Sequence, residues 1–105
     1  MKYMEPEIQN SITATQHAYD RARERFSWKP KTLDRMMEKA FESGVKHKDT
    51  KSALGKHISR LRKKYPFCNN VRIYGEDIYF FSGHKLITLY RLEQDFLKHL
   101  RYIKD

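Results

Sequence analysis

At 105 residues the chain has the size of one domain and the length for one modest core. No apolar run approaches the roughly 20 residues that a membrane-spanning helix needs, and 13% aromatic residues argue against disorder. A net charge of +9 instead predicts a polyanionic partner: nucleic acid, an anionic membrane surface or an acidic protein.

The first residues, MKYMEPEIQN, hold no apolar h-region of a secretory signal, and a single cysteine, Cys68, excludes an internal disulfide. Both fit a cytoplasmic protein. Residues 1–12, with Pro6 and no hydrophobic period, read as an irregular lead-in to one domain spanning residues 13–105. Thr13 and Gln16 have the capping-box spacing, which predicts Thr13 as N-cap of a first helix running to Phe26. Ala14, Ala18, Ala22 and Phe26 form a narrow apolar stripe on it, and His17, Arg21 and Arg25 a second stripe beside the first.

Pro30 breaks the chain, and a second helix is expected from about Lys31 to Ser43. Leu33, Met36, Met37, Ala40 and Phe41 form its core face, and Gly44 its C-cap. Val45 to Thr50 reads as a polar loop. A third helix follows, capped by Asp49 or Thr50 and ended by Pro66. Leu54, His57, Ile58, Leu61 and Tyr65 form its apolar side, and Lys56, Arg60, Lys63 and Lys64 a basic one. Between Lys46 and Lys64 there are eight Lys or Arg against one acid, Asp49.

The period then changes to two. Val71 to Tyr74, Ile78 to Ser82 and Lys85 to Tyr90 read as strands joined by glycine turns, an antiparallel meander. Val71 and Ile73, with Ile87 and Leu89, are expected in the core. Arg72 and Tyr74, with Thr88 and Tyr90, then fall on the opposite face. A last helix is expected from about Glu93 to Ile103. The fold class is α+β: N-terminal helices, a small antiparallel meander and a C-terminal helix, with helices on one sheet face and a basic cleft on or beside the other.

One imidazole and two guanidinium groups in a row suit the handling of an anion, above all phosphate. The H-x3-R-x3-R motif of HAYDRARER (His17, Arg21, Arg25), followed by helices and a meander closing in LITLY (Leu86–Tyr90), resembles small ribonuclease-like domains of the barnase/EndoU/colicin/RelE superfamily. The similarity is to RelE-like and phage-encoded members, and it covers about Thr13 to Leu92. It implies a metal-independent endoribonuclease, in which the 2′-hydroxyl of RNA attacks the neighbouring phosphate. It also implies an antitoxin or immunity protein as partner.

Cast in those roles, His17 is the general base or acid, since imidazole titrates near neutral pH. Arg21 and Arg25 hold the phosphate. Thr88 and Tyr90 match the family's closing motif. Arg72 and Tyr74, with Lys56, Arg60 and Lys63, contact substrate, and a tyrosine, Tyr74 or Tyr90, stacks on a base. RelE toxins commonly use lysines and arginines in place of a histidine, so the second proton-transfer group is unassigned. The sequence holds no histidine pair with metal-ligand spacing and no glycine-rich nucleotide loop, so no metal or cofactor is expected. Two other classes fit the same pattern: a non-catalytic nucleic-acid-binding module working through the basic third helix, and a phage accessory protein that keeps only the scaffold.

Overall fold

The computed structural model describes residues 11–50 and 52–97. Its elements are β1 (Thr13–Ala14), α1 (Gln16–Phe26), α2 (Pro30–Ser43), β2 (Val45–Lys46), a 3-10 turn (His47–Asp49), α3 (Ser52–Arg62), β3 (Asn70–Tyr74), β4 (Asp77–Ser82) and β5 (Lys85–Arg91). The five strands form one mixed sheet in the order β1-β5-β4-β3-β2, with β1 parallel to β5 and the other neighbours antiparallel. The α+β class is as expected; the sheet is larger than a meander, because two short strands flank it.

Those additions correct two expectations. Thr13 is not a helix cap, since pairing of Thr13–Ala14 with Lys85 and Leu86 draws it into β1. The next hydroxyl takes over: Thr15 is the N-cap, and its Oγ1 accepts from the Ala18 N–H at 3.0 Å. The 45–50 segment is not a loop throughout, because Val45 and Lys46 pair with Ile73 and Arg72. The Thr50 hydroxyl donates to the His47 carbonyl at 2.6 Å, closing the 3-10 turn.

On α1 the Ala18, Ala22 and Phe26 stripe is buried. The helix ends in a Schellman motif: the Ser27 N–H bonds the Arg23 carbonyl at 3.0 Å and the Trp28 N–H the Ala22 carbonyl at 3.2 Å. Ser27 takes the left-handed conformation there, with φ of 59°. Pro30 starts α2 at a position where its missing N–H costs nothing. Gly44 follows α2 in extended conformation, φ −69°. Space, not handedness, demands glycine: a Cβ would meet the Ala40 carbonyl at 2.5 Å and the Arg72 Cβ at 2.9 Å.

The strands lie close to where alternation puts them. The turns between them, Gly75-Glu76 and Gly83-His84, each open with glycine at positive φ, 63° and 61°. Two-residue turns of that kind match the twist of the flanking strands. The middle strand β4 is buried on both faces, with Ile78, Tyr79, Phe80 and Phe81 all fully buried. Such a continuous apolar run marks a strand covered from both sides, and each buried aromatic contributes on the order of 2–3 kcal/mol.

Helices therefore cover both faces, where one open face was expected. Tyr79, Phe81, Leu86 and Leu89 form one core with α1 and α2. Val71, Ile73, Ile78 and Phe80 form the other, with Leu54 and Ile58 of α3 and with Phe96 from the helical turn at 94–97. The expected last helix beyond Leu97 lies outside the described residues.

Register settles which side chains share a face. Val71 pairs with Phe80 and Phe80 with Thr88; Ile73 pairs with Ile78 and Ile78 with Tyr90. Thr88 and Tyr90 thus lie on the face of Val71 and Ile73, not opposite it. Ile87 is a bulge, the pairing stepping from Phe80–Thr88 to Phe81–Leu86. It packs toward the α3 core while Leu89 joins the α1 core, so the expected Ile87–Leu89 face does not exist.

Candidate nucleic-acid interface

The residues of the H-x3-R-x3-R motif share one helix but not one partner. His17 is exposed on α1. Arg21, half-buried, pairs with Glu24, and Arg23 pairs with Asp20 at 3.6 Å. Arg25 reaches the sheet, where its Nη1 donates to the Leu89 carbonyl at 2.8 Å and its guanidinium carbon lies 4.4 Å from the centre of the Tyr90 ring.

β1 covers β5 only at Lys85 and Leu86. Beyond it, the Thr15 hydroxyl donates to the Ile87 carbonyl at 3.2 Å and Arg25 serves Leu89. Side chains of α1 thus complete an edge that a longer strand would otherwise pair.

Thr88 is fully buried, and its hydroxyl has no hydrogen-bond partner. It faces the α3 side of the sheet, away from α1, so it does not form a phosphate wall opposite His17. Tyr90 is half-buried, and its hydroxyl lies 3.5 Å from that of Tyr65. Burial, then the Tyr65 hydroxyl, pushes the Tyr90 phenol up, against the opposing pull of Arg25.

Arg72 and Tyr74 stand on the α1–α2 face, across the sheet from Thr88 and Tyr90. Arg72 is held by the Gly44 carbonyl at 3.1 Å and the Asn70 side chain at 3.0 Å. The structure therefore brings Arg25 and Tyr90 together, and leaves Thr88, Arg72 and Tyr74 apart from His17 and Arg21.

The other predicted contact residues do converge. Lys56 and Arg60 lie one turn apart on α3, and Lys63, in the turn directly after it, follows on the same side. They line a shallow, open groove together with His47, Lys48 and Thr50 of the 3-10 turn and its end, and Gly55 and Ser59 of α3. His47 ties the turn to α3, its Nε2 lying 3.2 Å from the Gly55 carbonyl and 3.2 Å from Ser59 Oγ. The Ser59 hydroxyl donates to the Gly55 carbonyl at 2.9 Å.

Lys48, Lys56, Arg60 and Lys63 are exposed. Among the described residues the ion pairs are the two on α1, so none of the four has a carboxylate partner. The sequence supports this in a way that the α1 motif obscured: no Asp or Glu occurs between Asp49 and Glu76. His47 and Lys48 escaped sequence reading because the turn that aims them looked like an open loop, and Ser59 because one serine on a helix carries no signal of its own.

Among the described residues no three His, Cys, Asp or Glu side chains form a group that could hold a metal ion. Cys68 is buried, and burial pushes its thiol up. No described helix is long and apolar enough to cross a membrane. Compared with family models, curated proteins and solved structures, the chain finds no match.

Proposed function

We propose that this chain is a nucleic-acid-binding domain that grips the phosphate backbone in the groove between the 3-10 turn and α3. The observation that carries this reading is the row Lys56, Arg60 and Lys63, joined by Lys48, with no carboxylate partner among the described residues. Cations left unpaired along a shallow groove attract a chain of phosphates, and the counterions of the phosphates are released on binding.

The test is binding to RNA by fluorescence anisotropy at several salt concentrations, for the wild type and for Lys56→Gln/Arg60→Gln/Lys63→Gln. Losing three phosphate contacts on a single strand should lower the slope of log affinity against log salt by about 2. An unchanged slope and affinity in the triple variant would remove the groove from the reading.

A second reading, metal-independent cleavage of RNA, is supported by the resemblance of the His17–Arg21–Arg25 motif and by the exposure of His17. It proceeds without the Thr88 hydroxyl, which is buried. RNA incubated in EDTA with the wild type, His17→Ala and Arg21→Ala decides it. Cleavage lost in both variants supports the site, and cleavage surviving both sinks it.

A further inference from the structure

We infer that the turn following α3 is a stacking platform for unpaired bases, so that the ligand of the basic groove is a single strand. This rests on the groove reading and extends it to a class of ligand.

Phe67 carries the inference. It is 57% exposed, and no other large hydrophobic residue among those described is exposed. Its exposure is not that of a loose loop. The Cys68 N–H bonds the Tyr65 carbonyl at 2.9 Å, and Arg62 Nε donates to the Cys68 carbonyl at 3.0 Å. Pro66 fixes the backbone between them. The ring is thus presented to solvent from a turn anchored on both sides.

Its neighbours are aromatic and cationic. The Tyr65 ring lies edge-on at 6.4 Å, and the Tyr65 hydroxyl reaches that of Tyr90, over whose ring Arg25 is stacked. Lys63 and Lys64, both exposed, precede Tyr65 in the chain, and Lys63 also lines the groove. Phosphates tracking along α3 therefore arrive beside Phe67.

An apolar ring on a stretch of chain that carries cations and no acid between Asp49 and Glu76 suits a base more than an apolar protein face. Every base offers a π-face, while the cations hold the backbone that carries it. A duplex keeps its bases stacked inside and has none to offer this ring.

The experiment compares a fluorescently labelled 12-nucleotide oligouridine with a blunt RNA duplex of the same length, by anisotropy. The wild type should bind the single strand more tightly. Phe67→Ala should weaken single-strand binding roughly tenfold, leaving duplex affinity and the salt slope unchanged. Phe67→Leu, apolar but without a ring, should lose as much. Since Phe67 is exposed, both variants should melt like the wild type, which a thermal scan verifies.

Equal binding of strand and duplex overturns the platform, as does full affinity in Phe67→Ala or in Phe67→Leu. The groove reading survives those outcomes if the triple glutamine variant shows its salt slope lowered by about 2. If the wild type binds neither probe, both inferences fall.

Discussion

Arg25 closes over Tyr90, its guanidinium carbon 4.4 Å from the ring centre, while Nη1 donates to the neighbouring Leu89 carbonyl. One side chain thus ties α1 to the outer edge of β5. A cation over an aromatic face contributes about 0.5–1 kcal/mol, and a hydrogen bond from a charged donor about 1.5–3 kcal/mol where it is shielded. Arg25 is exposed and its hydrogen bond only partly buried, which reduces both. Arg25→Ala should therefore lower stability by about 1–2 kcal/mol in urea unfolding. Arg25→Lys should recover only part, since an ammonium cannot stack and donate with the same planar geometry. If Arg25→Ala unfolds like the wild type, the edge contact contributes nothing to folding.

Asp77 should make the protein less stable as pH rises through the mildly acidic range. It is 5% exposed, and its Oδ1 has no hydrogen-bond partner. Burial first, then Glu76, pushes its carboxyl up from 3.8 to about 6, against the pull of Arg91. The folded state thus holds this proton more tightly than the unfolded chain. The resulting stability is fully present below pH 3.8 and is lost as pH rises through about 6. A shift of this size corresponds to roughly 2–3 kcal/mol. Asp77→Asn should match the wild type near pH 4, exceed it at pH 8, and show a flatter profile between them in denaturant titrations. A wild-type-like fall with pH in the asparagine variant would falsify this origin.

Much of the architecture follows from local patterning, and the misreadings trace to pairings that no local pattern contains. The core residues of α2, the three long strands and the glycine turns follow from periodicity and turn chemistry. β1 and β2 are two residues each, too short to show alternation, and exist because β5 and β3 offer them partners. The face assignments failed for a related reason. Alternation within a strand says which residues share a side, but the cross-strand register that puts Thr88 opposite Phe80 is a tertiary fact. The bulge at Ile87 then reverses the alternation inside β5. The basic row of α3 was legible because helical spacing is local; the turn that lines its groove was not.

Ser27 offers a test of the α1 terminus. A left-handed conformation at a Schellman C′ position is ordinary for glycine and costs a residue with a Cβ about 1 kcal/mol or more. Ser27→Gly relieves that strain but gives the unfolded chain more freedom. The net expectation is a gain of about 0.5 kcal/mol, seen as a rise of a few degrees in Tm. A loss of stability would mean that the Ser27 side chain makes a contribution larger than its backbone strain.

Thr88 separates the structural reading of the LITLY strand from the one its resemblance implies. Its hydroxyl is fully buried among apolar side chains of the α3 core and has no partner. An unpaired buried hydroxyl costs about 1–3 kcal/mol relative to an apolar group of the same shape. Thr88→Val keeps the β-branched shape and removes the polar atom, so it should stabilise the fold by about 1 kcal/mol in urea unfolding. It should also leave RNA affinity and any RNA cleavage unchanged, because no phosphate reaches a fully buried side chain. A functional contact predicts the reverse: unaltered or lower stability with weakened binding or cleavage. Measuring unfolding and RNA binding on the same variant decides between a core position and a site that opens to its ligand.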